Sequence, residues 1–140
     1  MAIDFVAGTS IGAVMGGYVS FDLPAQTLID RARRAFARSP TGDLNALHTV
    51  SLVRGKRLQA TIDRAVVDAV GSAADVADSW RTFRCVVTDF SRAKEHVLAR
   101  GPAARCIRAS VWMSVALPPA PWQGDLLMDG GVFNNFPTTQ

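Results

Sequence analysis

The chain has 140 residues, of which 49% are hydrophobic and 19% are charged, and its net charge at pH 7 is +3. The hydrophobic fraction is large enough to form a core, which excludes an intrinsically disordered chain. No stretch approaches ~18 uninterrupted apolar residues, and the first residues lack the basic and apolar regions of a signal peptide. The basic residues are dispersed, which argues against nucleic-acid binding. We therefore expect a single domain over residues 1–140 that is cytoplasmic or held peripherally at a membrane.

The cysteines and histidines do not form a metal-binding pattern. Cys85 and Cys106 are separated by 20 residues, and His48 and His96 are far apart in sequence and form no ligand cluster with them. A metal site or a disulfide framework needs more ligands at shorter spacing. We expect two buried free thiols, as in a reducing compartment, and no metal or cofactor.

Predicted strands and helices alternate along the chain. Short apolar and β-branched runs predict strands, and apolar positions at helical spacing predict helices. The predicted strands cover 3–7, 83–87, 96–98 and 126–128, and the predicted helices cover 11–15, 24–38, 58–70 and 102–110. The first helix has no polar face and should be buried, with Gly16 and Gly17 closing it; Gly71 is the expected cap of the third. This order predicts an α/β fold of three layers, α/β/α, with a mostly parallel central sheet.

The most informative motif is Gly8-Thr9-Ser10-Ile11-Gly12, which fits the pattern G-x-S-x-G. It lies between an apolar strand and a buried helix, where a sharp turn presents the serine hydroxyl outward in a strained conformation. A Cβ at Gly8 or Gly12 is expected to collide with the neighbouring elements. The Ile11 N–H and the N-terminal end of the helix would stabilise a developing oxyanion. Ser10 is therefore the candidate nucleophile.

Two arrangements are considered for activating Ser10. His96 with Asp89 as its orienting acid is allowed, but no histidine follows Asp129, as the Ser, Asp, His order of α/β-hydrolases requires. Asp129 is the better candidate because it ends an apolar strand, where open α/β sheets place their sites. The following Gly130–Gly131 let the backbone turn and approach another segment closely.

The two motifs together, with the segments between them, resemble the patatin-like phospholipase family, in its bacterial branch related to neuropathy target esterase. The similar segments are Gly8–Gly12, Ser51–Lys56, Thr88–Phe90, Ile107–Ser110, Leu117–Pro119 and Asp129–Pro137. The resemblance covers nearly the whole chain. It implies a Ser–Asp dyad without histidine, in which Ser10 is the nucleophile and Asp129 the general base. It also implies hydrolysis of phospholipid or lysophospholipid esters through an acyl-enzyme.

The chain departs from the family pattern at both ends. Family members carry a glycine-rich loop before the serine motif that supplies further oxyanion donors, whereas seven residues precede Gly8 here. The chain also stops soon after Asp129–Gly131, where the family continues. The resemblance therefore predicts a domain that is incomplete at both ends and lacks the first strand. Because loss of one oxyanion donor costs ~10²–10³ in rate, little or no esterase activity is expected from the chain by itself.

Two other functions are weighed against the hydrolase. One is a catalytically inactive remnant or interaction module of the same fold, which would carry the same motifs. The other is a nucleotide-binding module built on Gly8, Gly12 and Gly16, but it lacks the P-loop lysine and the G-x-G-x-x-G spacing. The hydrolase is favoured over both.

Several further residues have a structural interpretation and a functional one. The apolar, proline-rich stretch from Trp112 to Trp122 is expected to be core and a rigid loop; alternatively, its tryptophans line an acyl-chain groove at the membrane. Arg108 is expected to be solvated or paired, or else to bind a phosphate head group. Asp4 and Asp89 are expected to be structural.

Overall fold

A computed structural model of the chain describes residues 3–36, 64, 67, 70–71, 73–111, 120–134 and 137. In chain order the elements are β1 (Phe5–Thr9), α1 (Ile11–Ser20), α2 (Ala25–Phe36), a 3₁₀ turn (Val76–Asp78), β2 (Thr82–Asp89), β3 (Lys94–Leu98), α3 (Ala103–Ser110), β4 (Ala120–Trp122), β5 (Asp125–Asp129) and a 3₁₀ turn (Gly130–Val132). Within these residues, each helix is too short or too polar to span a bilayer.

The central strand of the five-stranded sheet is β2, which pairs with three others. β1 runs parallel to residues 82–86 of β2, and β3 runs antiparallel to residues 85–89. β5 runs antiparallel to residues 87–89 and carries β4 on its other side. A strand can pair along two edges. Residues 85–86 of β2 pair with both β1 and β3, and residues 87–89 pair with both β5 and β3. β1 and β5 therefore lie end to end on the edge of β2 opposite β3.

The sheet is mixed, which corrects the expectation of a mostly parallel one. Among the strands that the structure describes, β1 with β2 is the single parallel pair. For two of the three antiparallel pairs the physical reason is the length of the connection, since parallel neighbours need a crossover of a dozen or more residues. β3 follows β2 after four residues, and β4 and β5 are joined by Gln123 and Gly124. Both turn residues have positive φ, 47° and 93°, as a two-residue hairpin requires. The predicted α/β class of the patatin-like type is confirmed.

The core lies between one face of β2 and the helices α1 and α3. Phe83 and Cys85 of β2, Ala13 and Val14 of α1, and Ile107 of α3 are buried members of one apolar cluster. Both helices contact β2 and each other. They therefore cover the same face of the sheet.

α1 continues through Gly16 and Gly17 to Ser20, so the prediction that these glycines close it was wrong. A Cβ at Gly17 would lie 2.7 Å from Ile107 Cδ1, and one at Gly16 would lie 3.1 Å from the Phe83 ring. The glycines are therefore contact points inside the helix. They allow α1 to pack closely on α3 and on β2.

The other predicted elements are confirmed with shifts of a few residues at their ends, as far as they are described. Of the predicted helix 58–70, Arg64, Val67 and Val70 are described, and they are helical. Gly71 has φ +82°, and its amide donates a hydrogen bond to the Val67 carbonyl, as expected of a cap. β4 was not predicted, because its proline pointed to a loop; proline is tolerated in an edge strand.

The two cysteines are free and buried, as predicted. Burial raises the pKa of the Cys106 thiol to about 12, and the nearby charge of Asp75 raises it further. Burial also raises the pKa of the Cys85 thiol, and Cys106 adds to that effect. Both thiols are therefore protonated near neutral pH and are poor nucleophiles.

Candidate active site

Ser10 alone makes the turn between β1 and α1. β1 ends at Thr9 and α1 begins at Ile11, and Ser10 has φ 54° and ψ −128°. A non-glycine residue in this conformation costs ~1–3 kcal/mol, so the surrounding structure must hold it. The Ser10 carbonyl accepts a hydrogen bond from the Ala13 amide at 2.9 Å. The Ser10 amide donates to Ser110 Oγ, also at 2.9 Å.

The two glycines of the serine motif do not have the same role. A Cβ at Gly8 would lie 2.4 Å from the Gly12 carbonyl oxygen and 2.7 Å from the Ala13 Cα, both backbone atoms. A Cβ at Gly12 would meet nothing within 4 Å, so the predicted collision there was wrong. The reason is that the first turn of α1 presses its backbone against Gly8, whereas the space beside the Gly12 Cα is open. Gly8 is the position at which the turn requires glycine.

The structure brings Ser10 and Asp129 together. Ser10 Oγ donates a hydrogen bond to Asp129 Oδ2 at 2.8 Å. β1 ends opposite Val86, and β5 ends with Asp129 opposite Val87. Because the two strands approach each other along one edge of β2, the residues at their ends meet.

The Asp129 carboxylate is fixed by its own turn. Asp129 Oδ1 accepts a hydrogen bond from the Gly131 amide at 2.7 Å, which leaves Oδ2 directed at Ser10. Thr88 Oγ1 donates to the Asp129 carbonyl at 2.9 Å. A Cβ at Gly130 would lie 2.4 Å from the Val86 carbonyl oxygen. This is the close backbone approach that the sequence predicts for the glycines after Asp129.

The N-terminus of α1 supplies an electropositive environment beside Ser10. Ile11 is the first of the ten residues of α1, so its amide has no acceptor within the helix. The helix dipole places positive charge at the same end, and the first turn has no acidic residue to offset it. A negatively charged oxygen next to Ser10 would be stabilised here.

The Ser10 hydroxyl donates its hydrogen bond to Asp129 and not to the alternative pair, His96 and Asp89. His96 is exposed on β3, and Asp89 is buried at the end of β2. Burial raises the pKa of the Asp89 carboxyl, but hydrogen bonds from the Arg92 side chain and amide outweigh it and hold the pKa below its ordinary value. Arg92 also pairs with Asp125. Asp89 therefore has the structural role expected of it.

The structure describes some of the other residues singled out in the sequence, and the rest lie outside the described residues. Trp122 is buried, with the Arg105 guanidinium 4.8 Å from its ring centroid, so it packs in the core as expected. Asp4 lies just before β1, where its carbonyl accepts from the Thr82 amide. Arg108 is half-buried on α3. Residues 37–63 and 112–119, which include His48, the 51–56 segment and the first part of the apolar stretch, are outside the described residues.

Thr88 and Ser110 contact the site, but the sequence did not identify them as site residues. Thr88 binds the backbone of Asp129, and Ser110 binds the backbone of Ser10. Both occur in segments that carry the family resemblance, Thr88–Phe90 and Ile107–Ser110. The family resemblance could have pointed to these two residues, but it does not say which backbone group each hydroxyl binds.

The chain is similar to known proteins over its whole length. A family profile described as "Patatin-like phospholipase" matches residues 1–140. The chain is 30% identical to "Lysophospholipase NTE1" of Mycosarcoma maydis over 98% of its own length and 7% of that protein's. It is 33% identical to human "Patatin-like phospholipase domain-containing protein 6" over 96% of its own length and 10% of that protein's. For "Lysophospholipase nte1" of Emericella nidulans the identity is 31%, over 95% of the chain and 9% of the relative.

The chain thus spans a tenth or less of the length of these relatives. The family profile nevertheless matches all 140 residues of the chain. The chain belongs to the patatin-like phospholipase family.

Proposed function

We propose that this chain carries the catalytic residues of a hydrolase of phospholipid or lysophospholipid carboxylic esters, with Ser10 as nucleophile and Asp129 as general base. The observation that carries the proposal is the 2.8 Å hydrogen bond from Ser10 Oγ to Asp129 Oδ2. A nucleophile and its base within hydrogen-bonding distance form the arrangement that serine acyl transfer requires.

In the acylation step, Ser10 Oγ attacks the carbonyl carbon of the ester while its proton passes to Asp129 Oδ2. The carbonyl oxygen becomes negatively charged and accepts a hydrogen bond from the Ile11 amide at the N-terminus of α1. When the tetrahedral intermediate collapses, the C–O bond to the alcohol breaks, and the alcohol leaves with the proton from Asp129. The product of this half-reaction is the acyl ester of Ser10.

In the deacylation step, Asp129 removes a proton from a water molecule that attacks the acyl carbon. A second tetrahedral intermediate forms, and its oxygen is stabilised by the same amide. Cleavage of the bond to Ser10 Oγ releases the fatty acid, and the proton on Asp129 returns to the serine. The hydrogen bond between Gly131 and Asp129 Oδ1 supports this cycle by keeping Oδ2 directed at Ser10.

A lipid substrate is supported by the names of the relatives and by the surface around Ser10. Two of the relatives described above are named lysophospholipases. Ile11, Val132 and Phe133 are all exposed, with relative accessibilities of 43–57%. They follow the nucleophile and the base closely in sequence. We call these three side chains the apolar rim, and its contact with a membrane surface is part of the proposal.

A fluorophosphonate probe, which reacts with activated serines, tests the nucleophile directly. The wild-type chain should be labelled at Ser10, and the Ser10→Ala variant should not be. Release of fatty acid from lysophosphatidylcholine micelles, measured on the same two proteins, tests the substrate class. If the folded wild-type chain shows neither labelling nor release, the inactive alternative of the same fold is correct.

A further inference from the structure

Ser110 connects the nucleophile turn to the central strand. Its side chain is fully buried at the end of α3. Ser110 Oγ accepts a hydrogen bond from the Ser10 amide at 2.9 Å and donates one to the Val86 carbonyl at 2.6 Å. A hydroxyl has a single proton, so donating to Val86 leaves its lone pairs to accept from Ser10.

This connection occurs at the point where β1 leaves the sheet. Thr9 is the last residue of β1 in register with β2, and its partner is Val86. Ser10 is the next residue and has turned away from the strand. The Ser110 hydroxyl therefore connects the Ser10 amide, the first beyond the pairing of β1 with β2, to the carbonyl of Val86, the last β2 residue paired with β1.

The Val86 carbonyl is also the atom against which the base turn packs. A Cβ at Gly130 would lie 2.4 Å from this oxygen, and the next β2 residue, Val87, pairs with Asp129. Val86 and Val87 of β2 thus contact both the turn that carries the nucleophile and the turn that carries the base. Ser110 connects the Ser10 turn to this segment.

We propose that Ser110 is a positioning residue that holds the strained backbone of Ser10 so that its hydroxyl stays within hydrogen-bonding distance of Asp129. The inference rests on the proposed hydrolase function. Ser110 does not touch the reacting oxygen, so its removal should lower kcat and leave KM nearly unchanged. A displacement of ~1 Å at a reacting group can cost ~10²-fold, and we expect Ser110→Ala to slow the reaction about 10- to 100-fold.

Ser20 provides a matched control within the same chain. It is also a fully buried serine at the end of a helix, and its hydroxyl donates to the Gly16 carbonyl at 2.7 Å. It lies at the opposite end of α1 from Ser10. Ser20→Ala removes a comparable buried hydrogen bond, so its melting temperature should fall, while the rate of Ser10 labelling should match that of the wild type.

The test compares wild type, Ser110→Ala, Ser110→Cys and Ser20→Ala by the rate constant of fluorophosphonate labelling and by kcat and KM for ester hydrolysis. Ser110→Cys retains a weaker donor and acceptor of similar size and should react at an intermediate rate. Equal rates for wild type and both Ser110 variants would overturn the inference while leaving the hydrolase intact. An unlabelled wild type would overturn the proposed function and the inference with it.

Amide hydrogen exchange at Ser10 gives a second readout that does not need turnover. The Ser10 amide should be protected in the wild type and in Ser20→Ala. It should exchange at least about tenfold faster in Ser110→Ala, because its acceptor has been removed. Unprotected exchange in the folded wild type, or unchanged protection in Ser110→Ala, would overturn the inference.

Discussion

Ser10 and Asp129 extend from the ends of two strands that meet on one edge of β2. The pairing of Thr9 with Val86 and of Asp129 with Val87 sets their relative position, and a hydrogen bond of 2.8 Å joins residues 119 positions apart. Because β1 runs parallel to β2 and β5 runs antiparallel to it, the C-terminal ends of β1 and β5 point toward each other. The mixed character of the sheet is therefore what brings the two candidate site residues together.

Asp129→Asn should reduce fluorophosphonate labelling of Ser10 and ester hydrolysis by about 10²–10⁴-fold, because the amide cannot take the serine proton. His96→Ala should leave both unchanged, since His96 is exposed on β3 and the Ser10 hydroxyl is bound by Asp129. Circular dichroism should show both variants folded. A large loss of activity in His96→Ala would favour a histidine-dependent mechanism instead.

Gly8→Ala should destabilise the fold by about 3 kcal/mol or more, because its Cβ would lie 2.4 Å from the backbone oxygen of Gly12. Gly12→Ala should be neutral or stabilising by up to ~1 kcal/mol, since the space is open and alanine favours a helix. Urea denaturation of the two variants measures the difference. Similar losses at both positions would contradict the distinction.

Gly17→Ala should cost about 1–3 kcal/mol, because its Cβ would lie 2.7 Å from Ile107 Cδ1 in a fully buried contact between α1 and α3. Ile107→Val removes that carbon and should itself cost about 0.5–1.5 kcal/mol. The double variant should be more stable than the sum of the two losses predicts. Strict additivity in the double-mutant cycle would show that the two positions do not interact.

The Asp89–Arg92 pair should stabilise the fold at neutral pH and not in acid. Because hydrogen bonds from Arg92 hold the folded-state pKa of Asp89 below its unfolded value of about 3.9, the stabilisation is present above that pH. It is lost as the pH falls through the folded-state pKa. Arg92→Gln should be less stable than the wild type at pH 7, and the difference in unfolding free energy should shrink below about pH 4. A difference that does not change between pH 7 and pH 3 would contradict this.

Charged substitution of the apolar rim should weaken binding to lipid. The double variant Val132→Asp and Phe133→Asp should sediment less with phosphatidylcholine vesicles than the wild type, because it places two charges on the proposed contact surface. Trp80→Ser is the control, since Trp80 is 84% exposed and its neighbour Arg81 donates to the Ser20 carbonyl, at the far end of α1 from Ser10. Loss of binding in Trp80→Ser alone would place the lipid contact at the other end of the molecule.

The parts of the site that are local in sequence could be predicted. The motif around Ser10 predicted a serine between a strand and a helix, and the glycines after Asp129 predicted a close backbone approach. The steric role of Gly12 was predicted incorrectly, because a collision at Cβ depends on which side of α1 faces β1. Ser110 was not identified as a site residue, because nothing in the pattern around it names a partner 100 positions away.

By itself the sequence determined the alternation of strands and helices, the buried character of α1 and β2, and the two residues proposed for the chemistry. These follow from periodicity, turn residues and short motifs, which depend on near neighbours in the chain. The tertiary structure decided that β1 and β5 share one edge of β2, that α1 packs on α3 through Gly17, and that Ser110 holds the Ser10 amide. Those relationships arise from backbone pairing and close packing between distant segments, and local hydrophobic patterns do not encode which segments will meet.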